Sequence, residues 1–356
     1  MRSTASRALA VVVIFACLGI HASECPPPPP PPSGKPDSLA HPSNLYHVSN
    51  PLEIPVGPDP VIDPDSPSYV AALVTATGTA GFAMMLNQFA IPVYYADAST
   101  PRYNVTLDVY DGLPPTGYCG KKFMSNAPIP SWVAADPGSD GVAIVVDSST
   151  GCTYEFWGYD KKTVYTTPNA YFASAILNAS DGIYHDGISA GPASNITTLN
   201  GVLWPDEVAS PAGIPHALAL GINGSMVRAN QPVPPATHAD GAGMTGFTIP
   251  EGAHLQLDPA LDLDSLGLLP YQKAIAKALQ VYGGYVALAT NGPVDLYAIS
   301  PLSSNNNPWV GIVPDPTAAY ASLPTSLLSR MRVLELPPTT TNLNKCAIPS
   351  PCGTYQ

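Results

Sequence analysis

The residues best suited to acid–base chemistry are Glu155, Asp206, Glu207, His216, His238, Asp240 and Glu251. Hydrolysis of a glycosidic bond needs one carboxyl as proton donor and a second as base or nucleophile across the sugar. Elimination needs a base, often His or Tyr, and a group that neutralises a uronate. Glu155 and Trp157 share one face of the strand around CTYEFW, which places an indole platform beside a carboxyl. Apolar surroundings push a carboxyl toward the protonated state that acid duty requires. On this reading Glu155 is the acid, Asp240 or Glu251 its partner, and His216 or His238 an alternative base. Tyr154, Trp157 and Tyr282 are candidate sugar-stacking residues, although Tyr282 also suits a core or rim position. The competing reading of Glu155 is a solvated outer strand face.

Other chemistries find less support. Gly187-Ile188-Ser189-Ala190-Gly191 has the letters of a nucleophile elbow, but it sits in a Gly- and Asp-rich loop without the strand and helix that the elbow needs. His185, His216, His238 and His254 show no His-x-x-x-His spacing, so no metal site is assigned. Asp136–Gly141 and Asp181–Gly187 are oxygen-rich loops that fit calcium only weakly, because neither has EF-hand spacing. No phosphate-cradling glycine loop occurs. The net charge of −12, with only 14 basic residues, argues against nucleic acid as a partner.

These side chains need elements to hold them. Alternation over Tyr103–Val109 predicts a half-buried strand, and Val142–Val146 reads as a strand buried on both faces. Ser148–Gly151 suits a hairpin into the next strand. Tyr271, Ile275, Ala278, Leu279 and Tyr282 recur at helical spacing between Pro270 and Gly283-Gly284, which predicts a helix over 271–282. The fold expected is mainly β: an antiparallel sandwich, jelly-roll-like, with that one covering helix.

Four segments are predicted. Residues 1–22 have a basic start, an apolar run and a small residue at Ala22, as a secretory signal peptide does. Residues 23–67 form a Pro-rich spacer that opens with seven consecutive prolines, residues 68–345 a single domain, and 346–356 a disulfide-closed tail. An oxidising compartment suggests Cys119–Cys152 and Cys346–Cys352 pairs, with Cys25 left over. Asn104, Asn178, Asn195 and Asn223 head glycosylation sequons, expected on surface loops. No later stretch is long and apolar enough to cross a membrane.

The chain also resembles a family of secreted, mostly bacterial proteins of uncharacterised activity. The matching elements are Tyr154-Glu155 after Cys152, Ser189-Ala190-Gly191, Asp206-Glu207-Val208, Gly213–Leu218, Pro235-Ala236, Gly252–Leu257 and Ala278–Gly283. The resemblance spans half to two-thirds of the chain and implies one secreted domain. The expected function is binding, and cleavage by hydrolysis or elimination, of an extracellular polysaccharide or cell-wall glycan. The alternative is a non-catalytic cell-surface or matrix glycoprotein, which the polyproline spacer and sequons also suit.

Overall fold

The seven-proline run stops at Pro32, and a few residues later the chain already carries side chains that need a core: Leu39, Leu45, Tyr46 and Leu52. In the computed structural model, which describes residues 34–108, 118–161 and 166–356, all four are buried. The signal segment, the polyproline run, Cys25 and the turn expected at Asp111-Gly112 lie outside the described residues. The spacer expectation therefore fails for its C-terminal part. Leu52 enters an apolar cluster with Ile183, Ile196, Ala217, Ala219 and Ala287, and its carbonyl accepts the Ala217 N–H at 2.7 Å. Proline rigidity prevents sheet pairing but not docking of the apolar residues between prolines.

Helix α1 (Ser66–Thr77) follows. The strands are β1 (Phe82–Met85), β2 (Val93–Ala96), β3 (Arg102–Leu107), β4 (Phe123–Pro128), β5 (Ala143–Asp147), β6 (Cys152–Trp157), β7 (Asn169–Ala170) and β8 (Phe172–Leu177). After the short α2 (Pro205–Ala209) come β9 (Leu218–Asn223), β10 (His254–Leu257), α3 (Pro270–Val281), β11 (Gly284–Thr290), β12 (Val294–Tyr297), β13 (Tyr320–Leu323) and β14 (Met331–Val333). They build a seven-stranded sheet in the order β13-β1-β12-β9-β11-β10-β14, a four-stranded sheet β2-β5-β6-β8 and a three-stranded sheet β4-β3-β7. The fold is mainly β, but the sheets are mixed and open rather than antiparallel throughout. β1 runs parallel to β12, β9 to β11, β2 to β5 and β3 to β7.

Alternation along the central strands separates two faces. Phe82, Met84, Leu218, Leu220, Val294 and Leu296 point into the main core, with Tyr69, Val70 and Leu73 of α1 and Tyr271, Ile275 and Leu279 of α3. The predicted helix is thus present and buries Tyr271, Ile275, Ala278 and Leu279 of the expected stripe, while Tyr282 falls past its end. It starts at Pro270, the Gln272 side chain accepts the Leu269 N–H, and Gly283 follows its end at φ 73°. It is joined on that core by α1, a second helix that the sequence reading did not assign. The β5–β6 hairpin is as expected, with Asp147 opposite Cys152.

The disulfides are not as expected. Cys119 bonds Cys346 and Cys152 bonds Cys352, so both tie the C-terminal segment to distant parts of the chain. The tail does not close on itself. It lies beside β4, where Tyr355 bridges to Met124. Linkage across 227 and 200 residues constrains the unfolded chain more than the short loops would have. Among the described residues no helix is long and apolar enough to span a membrane.

Leu52→Ala tests the docking of the N-terminal segment. Truncating a fully buried leucine is expected to cost about 2–5 kcal/mol in denaturant unfolding. An unchanged midpoint would mean that the segment does not belong to the folded unit.

Candidate functional site

Glu155 has no exposed surface. It lies in the middle of β6, where both sheet faces are covered: Tyr154 and Phe156 pack on one side, Ile144, Val146 and Ile176 on the other. Its carboxylate accepts the Thr198 N–H at 2.6 Å, the Tyr184 and Ser189 hydroxyls at 2.9 Å each, and a longer bond from Ser174 at 3.5 Å. Burial raises its pKa, and Thr198, Ser189 and Tyr184 offset the rise. A carboxyl so enclosed ties β6 to the loop over residues 181–200; it cannot reach a substrate. The assignment of Glu155 as catalytic acid is therefore withdrawn. Ser189 is spent on the same knot, giving its proton to Glu155 and accepting from the Gly191 N–H at 2.9 Å. Tyr154 is a fully buried core residue, and Tyr282 packs at the rim of the Leu52 cluster, its carbonyl taken by the His254 Nε2–H at 2.7 Å. Tyr154 therefore forms no sugar platform.

The sequons divide. Asn104 is exposed, while Asn178 and Asn223 are half-buried turn acceptors. Asn195 departs from expectation. It has no exposed surface, accepts the Ser189 N–H and donates to Thr237 Oγ1 at 2.8 Å, so the folded chain offers no room for a glycan there.

Asp206 and Glu207 stand at the start of α2, where Pro205 fixes the first turn. Glu207 holds two imidazoles: Oε2 lies 3.0 Å from His216 Nε2 and Oε1 lies 2.8 Å from His41 Nδ1. His216 Nδ1 donates to the Ala217 carbonyl at 2.8 Å, so its other nitrogen must carry a proton to donate to Glu207. Burial opposes ionisation of both groups, yet the pairing outweighs it. Glu207 falls to about 2 and His216 rises above its ordinary value. His41, missed in the sequence because it lies in the supposed spacer, also stacks on Trp204 and takes an Asp206 carboxylate on its N–H. The residues border a cavity of about 450 Å³. His216, with both nitrogens engaged, is an anchoring group and not a free base.

A second cavity, of about 410 Å³, lies against the other face of the seven-stranded sheet. β1, β12 and β9 place Ala83, Asp295 and Gly221 in one row, with Tyr297 and Met85 in the next. Small neighbours make the space: a Cβ on Gly221 would meet Thr290 Cγ2 at 2.6 Å, Tyr297 Oη at 3.1 Å and Asp295 Cβ at 3.2 Å. Asp295 is 7% exposed and its Oδ1 has no hydrogen-bond partner. Burial pushes its pKa up to about 7, with Thr290 offsetting part of the rise.

Asp140 completes this wall from the loop before β5. Burial raises its pKa as well, but the Trp157 indole N–H, Lys161 and Ser139 draw it back. Trp157 therefore does serve a carboxyl, though that carboxyl is Asp140 and not Glu155. Phe89 forms another side, held at φ 55° by the Asp136 carboxylate, which accepts its N–H at 2.7 Å. A bulky residue in left-handed backbone is strained by about 1–2 kcal/mol, and here the turn at Asp136–Gly138 sustains it. Asp136 Oδ1 takes the Phe89 and Gly138 N–H groups while its Oδ2 has no hydrogen-bond partner, and Asp181 meets the Ile183 N–H and His185.

Asp240 and Glu251 face each other and not Glu155, and His238 lies by Asp240 with Nδ1 donating to the Ala193 carbonyl at 3.0 Å. Among the described residues no three His, Cys, Asp or Glu side chains are grouped to hold a metal ion. No family model, curated protein or solved structure matches this chain.

The Glu207 contacts carry a pH signature. Glu207 is depressed from 4.5 to about 2, so its contribution, on the order of 3 kcal/mol, is complete above pH 4.5 and fades as the pH falls toward 2. His216 is raised from 6.5, so its share is complete below pH 6.5 and fades as the pH rises through the folded-state value. The stability difference between wild type and Glu207→Gln is expected to peak between pH 4.5 and 6.5 in thermal unfolding. A pH-independent difference would contradict the charged pairing.

Proposed function

We propose that the protein is a secreted polysaccharide-binding hydrolase and that the bond is cut in the cavity beside Asp295. One observation carries the reading: a buried carboxyl poised near pH 7 meets a second, better-hydrated carboxyl across a cavity walled by Phe89, Tyr297 and Tyr320. Burial raises both carboxyls, but Asp140 has three groups that offset the rise and Asp295 has one, so Asp295 is cast as acid and Asp140 as base. Asp295, protonated at mildly acidic pH, gives its proton to the departing glycosidic oxygen. Asp140, held by the Trp157 indole N–H, activates water or attacks the anomeric carbon. Aromatic rings offer flat apolar surface to a pyranose.

The cavity also speaks to substrate. Among the described residues no Lys or Arg lines it, and Lys161 is engaged with Asp140 and the Gly138 carbonyl, which favours hydrolysis of neutral glycans over elimination. Two disulfides accord with an extracellular setting. In the same reading the seven- and four-stranded sheets are the layers of a sandwich, with the cavity at its edge. The resemblance to secreted bacterial proteins is consistent with this picture.

Purified protein incubated with a panel of neutral polysaccharides is expected to release reducing ends. Asp295→Asn and Asp140→Asn should each lower kcat by about 10²–10⁴. Activity should fall above pH 7, where Asp295 loses its proton. Full activity in both variants would remove these residues from catalysis. Binding without cleavage across the panel would favour the non-catalytic surface glycoprotein.

A further inference from the structure

Glu251 stands apart from the other buried acids. It has no exposed surface, and its carboxyl oxygens meet no donor outside Asp240. The backbone fixes it in place. Its carbonyl accepts the Val233 N–H at 2.9 Å, and the next residue, Gly252, donates to Val286 at 2.8 Å. Gly252 adopts φ 88°, and a Cβ there would come within 1.7 Å of the Val233 carbonyl oxygen. The side chain therefore cannot swing out to water without undoing the junction between the 233–236 segment and β11.

The Glu251 carboxyl faces Asp240, close enough for the two to share a proton, and Asp240 in turn accepts the Ala289 N–H. Asp240 is exposed at its outer side, so the pair has a mouth open to solvent. His238 is the basic group beside it, and its Nδ1 proton is already committed to Ala193. A pair of carboxyls with so few donors is costly to bury unless a proton or a cation meets it. One shared proton would leave the pair with one uncompensated negative charge. A cation satisfies both carboxylates together.

We propose that Glu251 and Asp240 bind a calcium ion. The side-chain donors are all oxygen, which suits a hard cation. Calcium tolerates the irregular shell of carboxylates, backbone carbonyls and water that this junction can supply, whereas magnesium demands a near-ideal octahedron. Bound calcium would brace Ala289, which lines the Asp295 cavity, but its binding does not depend on the hydrolase reading. Affinity in the range of extracellular modules, with Kd about 10⁻⁴–10⁻³ M, is expected.

Calcium titrated by calorimetry into chelator-treated full-length protein at neutral pH should show one saturable site. Thermal unfolding should rise with calcium and return to baseline on adding EDTA. Glu251→Gln and Asp240→Asn should each weaken binding at least about tenfold and abolish the thermal response. Both variants should unfold cooperatively without calcium, and Asp240→Asn decides alone if Glu251→Gln does not fold. Absence of heat and of any thermal shift in the wild type would overturn the site in favour of a shared proton. Calcium binding retained in the folded variants, or matched by magnesium, would overturn it as well.

Discussion

A carboxyl group removed from water must be met by donors, by a counter-charge or by a proton, and this constraint shapes the molecule. Asp147, Glu155, Glu207, Glu251 and Asp295 are all buried. The chain has few cations to offer them, with 14 basic residues against 26 acidic. Each is resolved differently. Asp147 draws Arg102, Ser149 and Thr150, which overcome its burial and keep it ionised. Glu155 collects an amide and hydroxyls, and Glu207 is clasped by two imidazoles. These three hold separate parts of the chain together. Glu251 and Asp295 have no such company, and functional readings attach to those two.

The fold creates the contrast by its choice of neighbours. Around Glu155, the strands β5, β6 and β8 are closed over by the loop through Ser189 and Thr198, so each carboxyl oxygen finds a donor. Around Asp295, the opposing positions are Ala83 and Gly221, which bring neither donor nor bulk. The empty volume that small residues leave becomes the cavity, and the loop carrying Asp140 forms its far wall. The N-terminal segment contributes in the same way at the other cavity, where His41 supplies what α2 alone lacks. The N-terminal segment, expected as a spacer, is thus a structural part of that region.

How much of this could be read in advance follows from which signals are local. The α3 stripe and the β5–β6 hairpin were legible because periodicity and a turn report on neighbouring residues. Alternation correctly put Glu155 and Trp157 on one strand face, but it could not tell that the face was covered, since burial of β6 depends on a loop more than 30 residues away. Helix α1 was obscured by β-branched residues at Val70, Val74, Thr75 and Thr77 and by the prolines before it. The cysteine pairs are not legible in the sequence, because nearness along the chain says little about spatial partners. Glu207 and His216 were both singled out, and they do meet. Asp295 was passed over inside an apolar strand, although a lone acid alternating with Val294 and Leu296 was the available sign. His41 gave no sign at all.

The account turns on the protonation of Asp295. Side-chain carbon NMR of ¹³C-aspartate-labelled protein, with Asp295→Asn to assign the signal, reads that state directly. The structure predicts a titration midpoint near 7, well above the ordinary 3.8. A midpoint at or below 3.8 would contradict it, because an ionised Asp295 could not give a proton to a leaving group.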